Sequence, residues 1–212
     1  MTWGLIIAAV IVAALGYGYW DHSKQSRHLA GLFAALADEY RGQVKRASFL
    51  ALPQLRFERD GRRVLVGALA TSGQVAAGSS GYSGPFTFVD LELPFDSGQR
   101  IRAEPATGLD RHAGRIVEAV VPGHSPKTGH TAFDAAFRIA GGDSAFVSQL
   151  FGPKLRERLL ASRLPRLQVR ILGSKVGVHI DGVVGTQNDL EEMIGIAVSL
   201  AENCPAPPGP GS

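Results

Sequence analysis

The sequence predicts an α+β fold in which an N-terminal transmembrane helix precedes one domain of antiparallel β-hairpins packed with helices. Three observations predict it: an uncharged apolar run near the N-terminus, two extended segments that each reverse at a glycine, and several segments with apolar residues every three or four positions. A chain of 212 residues is long enough for an anchor and one hydrophobic core. The predicted divisions are a transmembrane anchor at 1–21, a helical stalk or packing helix at 22–50, the α+β domain at 51–204 and a disordered tail at 205–212.

The apolar run extends from Trp3 to Trp20 and contains no charged residue. At about 1.5 Å of rise per residue, it approaches the roughly 30 Å thickness of a bilayer core. Aromatic rings stand at both of its ends, where amphipathic rings prefer the headgroup level. These features favour an uncleaved anchor. The residues predicted to contact lipid are Trp3, Ile6, Ile7, Val10, Ile11, Val12, Leu15, Tyr19 and Trp20.

A cleaved signal peptide is the competing interpretation, with Ala14-Leu15-Gly16 as a small-residue cleavage site. It requires a positively charged segment before the apolar run, and here only the terminal amine and Thr2 precede it. Lysines and arginines follow the run and none precedes it, which predicts a single-pass protein whose C-terminal domain lies in the cytoplasm. A long translocated domain can override this charge rule, so a periplasmic domain stays open.

The first half of the domain contains a helix and a hairpin. Residues 26–48 carry a helical apolar stripe, which either continues the anchor as a stalk or packs on the domain. Asp60-Gly61 supplies the turn of a β-hairpin. Residues 70–85 are rich in glycine and serine and predict a mobile loop. The stripe consists of Leu29, Leu32, Phe33, Leu36 and Tyr40, strands are predicted at 86–93 and 100–103, and 109–121 is ambiguous between strand and helix.

The second half has clearer patterns. A strand at 137–140 leads to a helix capped by Asp143 or Ser144, and Pro153 restarts a helix at a first-turn position. A second hairpin turns at Gly173-Ser174, and Thr186 with Asp189 resembles a capping box before a last amphipathic helix. The predicted buried positions are Phe146, Val147, Leu150, Phe151, Leu155, Leu159 and Leu160, then Leu190, Met193, Ile194, Ala197 and Leu200.

The two hairpins align without gaps, as LPQLRFERDGRRVLVG from Leu52 and LPRLQVRILGSKVGVH from Leu164. They share a Leu-Pro-x-Leu start, a glycine and two valines. This predicts an internal helix-hairpin repeat with two related lobes. Common turn chemistry imposing the same pattern on two unrelated units is the alternative.

Composition excludes several function classes. The 22 basic and 19 acidic residues leave a net charge of +3 that is scattered along the chain, which argues against nucleic-acid binding. Cys204 is the one cysteine, so the chain forms no internal disulfide and no cysteine metal cluster.

The loop PGHSPKTGH at 122–130 resembles a phosphate-binding loop only superficially. Such a loop needs backbone amides before its lysine, and Pro126 offers none before Lys127, while Val121 occupies the required upstream glycine position. His124 and His130 lie in the same polar loop without the rigid frame that a metal site needs. His179, on the second hairpin, is out of phase with its apolar neighbours and points away from their face.

No other segment predicts catalysis. Gly81-Tyr82-Ser83-Gly84-Pro85 resembles a nucleophile elbow but has proline at the last glycine position. Glu191-Glu192 and Glu157 have the pattern of solvated helix surfaces. The sequence therefore predicts no catalytic, cofactor-binding or metal-binding residues.

The C-terminal third contains Gly141-Gly142-Asp143, Phe146, Leu150-Phe151-Gly152-Pro153 and Leu159-Leu160, then a hairpin and an amphipathic helix. This order resembles a family of bacterial membrane-anchored proteins of unknown function. Phe151-Gly152 departs from that family's Leu-Thr before the proline. The resemblance implies a fold and no activity.

The function that these observations favour is a non-enzymatic interaction module or accessory subunit of a bacterial membrane protein complex. Its expected partners are the lipid bilayer, through residues 3–20, and another membrane protein. One alternative is a hydrolase that uses the loop Ser80 to Ser83 beside the loop His124 to His130. A second alternative is a domain that binds a small ligand or a lipid between the two lobes.

Overall fold

A computed structural model describes residues 20, 23–46, 52–69, 85–106 and 126–207. The described part has an antiparallel eight-stranded sheet with helices packed on one face, as the α+β prediction requires. The elements are α1 (23–40), β1 (Gln43–Lys45), β2 (Gln54–Arg59), β3 (Arg62–Leu69), β4 (Phe86–Glu92), β5 (Arg100–Pro105), α2 (Thr131–Ala136), β6 (Phe137–Ala140), α3 (Ser144–Leu150), α4 (Pro153–Ala161), β7 (Gln168–Leu172), β8 (Lys175–Asp181) and α5 (Gln187–Asn203).

The strand order is β1-β2-β3-β4-β8-β7-β5-β6, so the first four strands are neighbours in sequence order and the C-terminal hairpin, β7 with β8, lies between β4 and β5. β4 lies between β3 and β8, and Val89 of β4 pairs with Val66 on one side and Val178 on the other. Alternate residues of each strand point to the same face. The helix-facing positions are apolar and join the helices in one core.

Helix α1 packs on the domain and is therefore not a free stalk. Leu29, Phe33 and Leu36 have no exposed surface and belong to the same core as the sheet. Their spacing of three and four residues places them on one helical face. Tyr40 continues this face and stacks on Phe57 of β2, with ring centroids 4.7 Å apart.

The helix ends in the second half follow local sequence signals. Asp143 caps α3 through a 2.8 Å bond from the Phe146 amide to its carboxylate, and Pro153 begins α4. Thr186 caps α5, with its hydroxyl accepting from the Asp189 amide at 3.1 Å. The predicted burial of Leu160 is wrong: this side chain is 39% exposed.

Both predicted hairpins form. Asp60 and Gly61 adopt φ values of 53° and 71°, and positive φ at both central residues defines a type I′ turn. The second hairpin reverses at Gly173-Ser174, where Gly173 has a φ of 59°.

The two hairpins of the predicted internal repeat differ in how their strands pair. Phe57 pairs with Val64 in the first hairpin, whereas the aligned Val169 pairs with Val178 and not with the aligned Val176. The shared glycine is the second residue of the first turn and the first residue of the other, so the pairing is shifted. The partner of the aligned residue shifts by two positions, so strand alternation keeps the same face toward the helices: Val64 and the aligned Val176 are both in the core. The aligned hairpins therefore share their buried face and differ in strand pairing.

Several predictions lie outside the described residues, namely the anchor at 3–19, the loop at 70–84, the segment at 109–121 and the end of the tail at 208–212. Among the residues that are described, no helix combines the length and apolar character needed to cross a bilayer. Trp20 is described and is 55% exposed, with the Lys24 ammonium 5.5 Å from its ring centroid.

Candidate functional site

The sheet face opposite the helices carries a row of polar side chains. Asp90 of β4 pairs with Gly177 of β8, Gly177 pairs with Arg170 of β7, and Arg170 pairs with Arg102 of β5. Strand alternation puts them on one face, because the residues beside them in each strand face the core. Val89, Val178 and Val169 are examples of these core-facing neighbours. We call this surface the polar face.

An ion pair crosses β8 in the middle of this row. One guanidinium nitrogen of Arg170, Nη2, lies 3.3 Å and 3.4 Å from the two carboxylate oxygens of Asp90. A Cβ at Gly177 would lie 2.7 Å from Arg170 Nε and 2.8 Å from Asp90 Oδ1, closer than real Cβ atoms approach. Glycine at this position therefore leaves the space in which the two charged groups meet.

His179 and two phenylalanines form the next row of the same face. His179 Nε2 lies 3.6 Å from Asp90 Oδ1, and the Phe86 ring stacks on the imidazole at 5.6 Å with 11° between the planes. Phe88 pairs directly with His179 and lies over Gly67, whose missing side chain makes room for the ring. Phe86 and His179 are only 1% and 3% exposed.

The protonation states on the polar face follow from burial and neighbouring charge. Burial alone would raise the pKa of Asp90, but the interaction with His179 and the charge of Arg170 outweigh it and lower that pKa. Burial lowers the pKa of His179; Asp90 opposes this effect and Arg170 adds to it. At neutral pH the face therefore holds a carboxylate, a guanidinium and a neutral imidazole.

The charged groups of the polar face are paired with one another within the sheet. The Asp90 carboxylate is engaged by Arg170, and a second ion pair joins Arg102 Nη2 to Glu104 Oε2 at 2.7 Å along β5. Within the described residues, no group of three or more His, Cys, Asp or Glu side chains is placed to hold a metal ion.

Sequence reasoning found part of this site. It placed His179 correctly on the face opposite its apolar neighbours, but it missed the burial of His179 and the contact with Asp90. One signal was available, since Asp90 is a charged residue between the apolar Val89 and Leu91 of a mostly buried strand. Its partners lie more than 75 positions away, so only the strand order brings them together.

The loop that contains Lys127 has a structural role in its described part, 126–130. The Thr128 hydroxyl donates to Asp134 Oδ1 at 2.8 Å, and the Gly129 amide donates to Asp134 Oδ2 at 3.2 Å. His130 Nδ1 accepts from the Phe133 amide at 3.2 Å and caps α2. These residues fix the start of α2. Ser83 and His124, which the hydrolase alternative needs, lie outside the described residues.

Comparison with known proteins gives a likeness of fold. The chain matches no protein-family model and no curated protein. The solved structure of the mycobacterial trehalose monomycolate transport factor A, TtfA, resembles it with a TM-score of 0.54 and 7% sequence identity. The likeness covers 87% of this chain and 98% of that one. At this identity it shows a shared fold and nothing about activity.

Proposed function

We propose that this protein is a membrane-anchored, non-enzymatic accessory subunit of a bacterial complex that transports a lipid. The observation that supports this most is the likeness of fold to a transport factor over nearly the whole length of both chains. A fold hosts many functions, so the proposal also depends on the sites and segments of this chain.

The apolar segment at 3–20 supports a membrane location. Its length and its aromatic ends suit a single bilayer span. α1 follows it within a few residues and packs in the core of the domain through Leu29, Phe33 and Leu36. An anchor at 3–20 would therefore hold the domain close to the bilayer surface.

The polar face supports a binding role. Asp90 and Arg170 neutralise each other, and the imidazole of His179 is neutral and stacked on a phenylalanine. His179 and Phe86 are buried, whereas Arg170 and Asp90 keep 35% and 22% of their side-chain surface exposed. The part of this face that suits contact with a partner surface or a polar lipid headgroup is therefore the ion pair, whose groups are already oriented.

The experiment compares three chains in a bacterial host depleted of the native protein: the full chain, a chain lacking residues 1–20, and a chain in which an unrelated single-span anchor replaces 1–20. We expect the full chain in the membrane fraction, copurifying with an integral membrane transport protein after detergent extraction. The truncated chain should be soluble and lose that partner, and the replaced anchor should restore both. Depletion should slow the delivery of newly made, radiolabelled envelope lipid.

Two results would count against the proposal. One is a mature chain that begins after Trp20 and is released from the membrane, as a signal peptide would give. The other is unchanged lipid delivery in the depleted host, which would remove the transport role even if the chain is anchored.

A further inference from the structure

The start of α1 lies at one end of the sheet. Hydrogen bonds show which strand ends lie beside it. His28 Nε2 lies 3.1 Å from the carbonyl oxygen of Val184, and the Val184 amide donates to Thr87 Oγ1 at 2.9 Å. The Gly182 amide donates to the carbonyl of Pro85 at 2.7 Å. The beginning of α1, the end of β8 and the beginning of β4 therefore lie together. We call this the proximal end.

The loop between α4 and β7 lies at the same end. The Asp181 amide donates to the carbonyl of Pro165 at 3.2 Å, and Arg166 Nη1 lies 3.2 Å from Asp181 Oδ2. The last turn of α4, with Leu160 and Ala161, leads directly into this loop. β1 also ends here, because Lys45 pairs with Gln54 at the start of β2 and Gln54 pairs with Gly67 near the end of β3.

Exposed cations gather at the proximal end. They come from three separate elements: the first turns of α1, the end of β1 and the loop after α4. Arg166 remains 70% exposed at its side chain although it contacts Asp181. The exposed cationic residues at this end are Lys24, Arg27, Lys45, Arg46, Arg163 and Arg166.

Apolar groups are exposed among these cations. Leu160 is 39% exposed on the last turn of α4, Pro165 is exposed in the following loop, and Trp20 precedes α1. Exposed apolar side chains among lysines and arginines are the composition of surfaces that lie at the headgroup level of a membrane.

The opposite end of the sheet differs in how its charged side chains are paired. At the turn between β2 and β3, Arg59 lies 3.9 Å from Asp60, and nearby Arg63 lies 3.7 Å from Glu92. Two ion pairs lie there, whereas among the described residues of the proximal end one of the six cations, Arg166, is paired with an acidic side chain. We call this the distal end.

We propose that the proximal end rests on the anionic headgroups of the bilayer in which residues 3–20 are anchored. This inference rests on the proposed function, because the anchor is what brings this end to the membrane. Attraction between exposed cations and anionic lipid acts within a Debye length, about 8 Å at physiological ionic strength. The contact fixes how the domain is oriented and turns its distal end toward the aqueous side.

The test reconstitutes the full chain, carrying Ala161→Cys labelled with an environment-sensitive fluorophore, into vesicles that contain a lipid-borne quencher. Cys204 is buried, and burial raises its thiol pKa to about 11, so it reacts slowly at neutral pH. A matched chain carries the label at Asp60→Cys on the distal end. Vesicles are phosphatidylcholine alone or phosphatidylcholine mixed with phosphatidylglycerol.

We expect the label at position 161 to be quenched several-fold more in the anionic vesicles than in the zwitterionic ones, and added salt to reverse the difference. The label at position 60 should be insensitive to both. Charge reversal by Arg27→Glu with Arg163→Glu should remove the effect, whereas Arg63→Glu with Lys175→Glu at the distal end should leave it. Circular dichroism of each variant confirms that it is folded.

Equal quenching in both vesicle types, or equal quenching at positions 161 and 60, would overturn the inference while leaving the anchor intact. Failure of the full chain to float with either vesicle would refute the anchor itself, and with it the inference. Flotation therefore reports the proposed function, and the difference between the two labels reports the orientation.

Discussion

At the scale of single residues, Asp90 and His179 show how position sets charge. Burial favours the neutral form of each. Asp90 has His179 and Arg170 beside it, and together they outweigh burial, so its charged form is favoured and its pKa falls below the ordinary value. His179 faces both a carboxylate and a guanidinium, whose effects oppose each other, so burial dominates and its pKa falls as well.

His179→Gln should reduce the loss of unfolding free energy that occurs as the pH falls below neutral. The folded chain holds a neutral imidazole because its pKa is lowered from 6.5, whereas the unfolded chain binds a proton below that pH. This contribution is complete above pH 6.5 and is lost as the pH falls through the folded-state pKa. Urea unfolding in detergent, followed by circular dichroism between about pH 7.5 and about pH 5, should show a larger loss in the parent than in the variant. His28→Gln, at an exposed position, is the control, and parallel profiles for parent and H179Q would refute this reasoning.

At the scale of elements, the polar face depends on glycines as much as on charges. Gly177 lies between Asp90 and Arg170 in adjacent strands, and Gly67 lies beneath Phe88. Gly177 leaves room for the Arg170 side chain to cross β8, and Gly67 leaves room for the Phe88 ring over β3. A glycine inside a strand often marks such a close approach.

Gly177→Ala should therefore destabilise the domain by about 1 to 3 kcal/mol, because the added methyl group separates the ion pair or displaces β8. Urea unfolding of the full chain measures the loss. Gly31→Ala is the matched control, since nothing lies within 4 Å of its added Cβ in α1. That change should raise the free energy of unfolding by up to about 1 kcal/mol through helix propensity. Equal stability of G177A and the parent would contradict the expectation that a side chain at this position disturbs the ion pair or β8.

The local sequence predicted the elements well, and its failures have identifiable causes. Asp60-Gly61, Asp143, Pro153 and Thr186 mark turns and helix starts through short-range chemistry, and all appear where expected. Leu160 fits the helical stripe by spacing but lies on the last turn of α4, where the core no longer covers it.

The candidate site was less accessible to prediction. Asp90, Arg170 and His179 are in different strands, and neither their pairing nor their burial is encoded in any one segment. The gapless alignment of the hairpins matches their buried residues but could not show that the turns differ by one position. Long-range strand order decides these features, and local periodicity does not contain it.

At the scale of the whole molecule, α1 and the sheet share one hydrophobic core. The fully buried Leu29, Phe33 and Leu36 join the residues of the sheet in a single core. Removing three such side chains forfeits roughly 5 to 9 kcal/mol of apolar burial, which is comparable to the whole stability of a typical domain.

A chain that begins at residue 22 should consequently fold, whereas one that begins at residue 47 and lacks α1 and β1 should not. Circular dichroism and limited proteolysis distinguish the two, the first giving a protease-resistant domain with a cooperative melting transition. If the chain that begins at residue 47 also melts cooperatively, α1 is not needed for folding. The folded domain then begins after residue 46 and not near residue 22.

The pairing of β4 with β8 has a consequence for biosynthesis. Glu92 pairs with Lys175, so the centre of the sheet cannot close until most of the chain has left the ribosome. At typical translation speeds, several seconds separate the appearance of these two strands. During that interval the nascent N-terminal half exposes an unpaired strand edge, which makes it a substrate for chaperones.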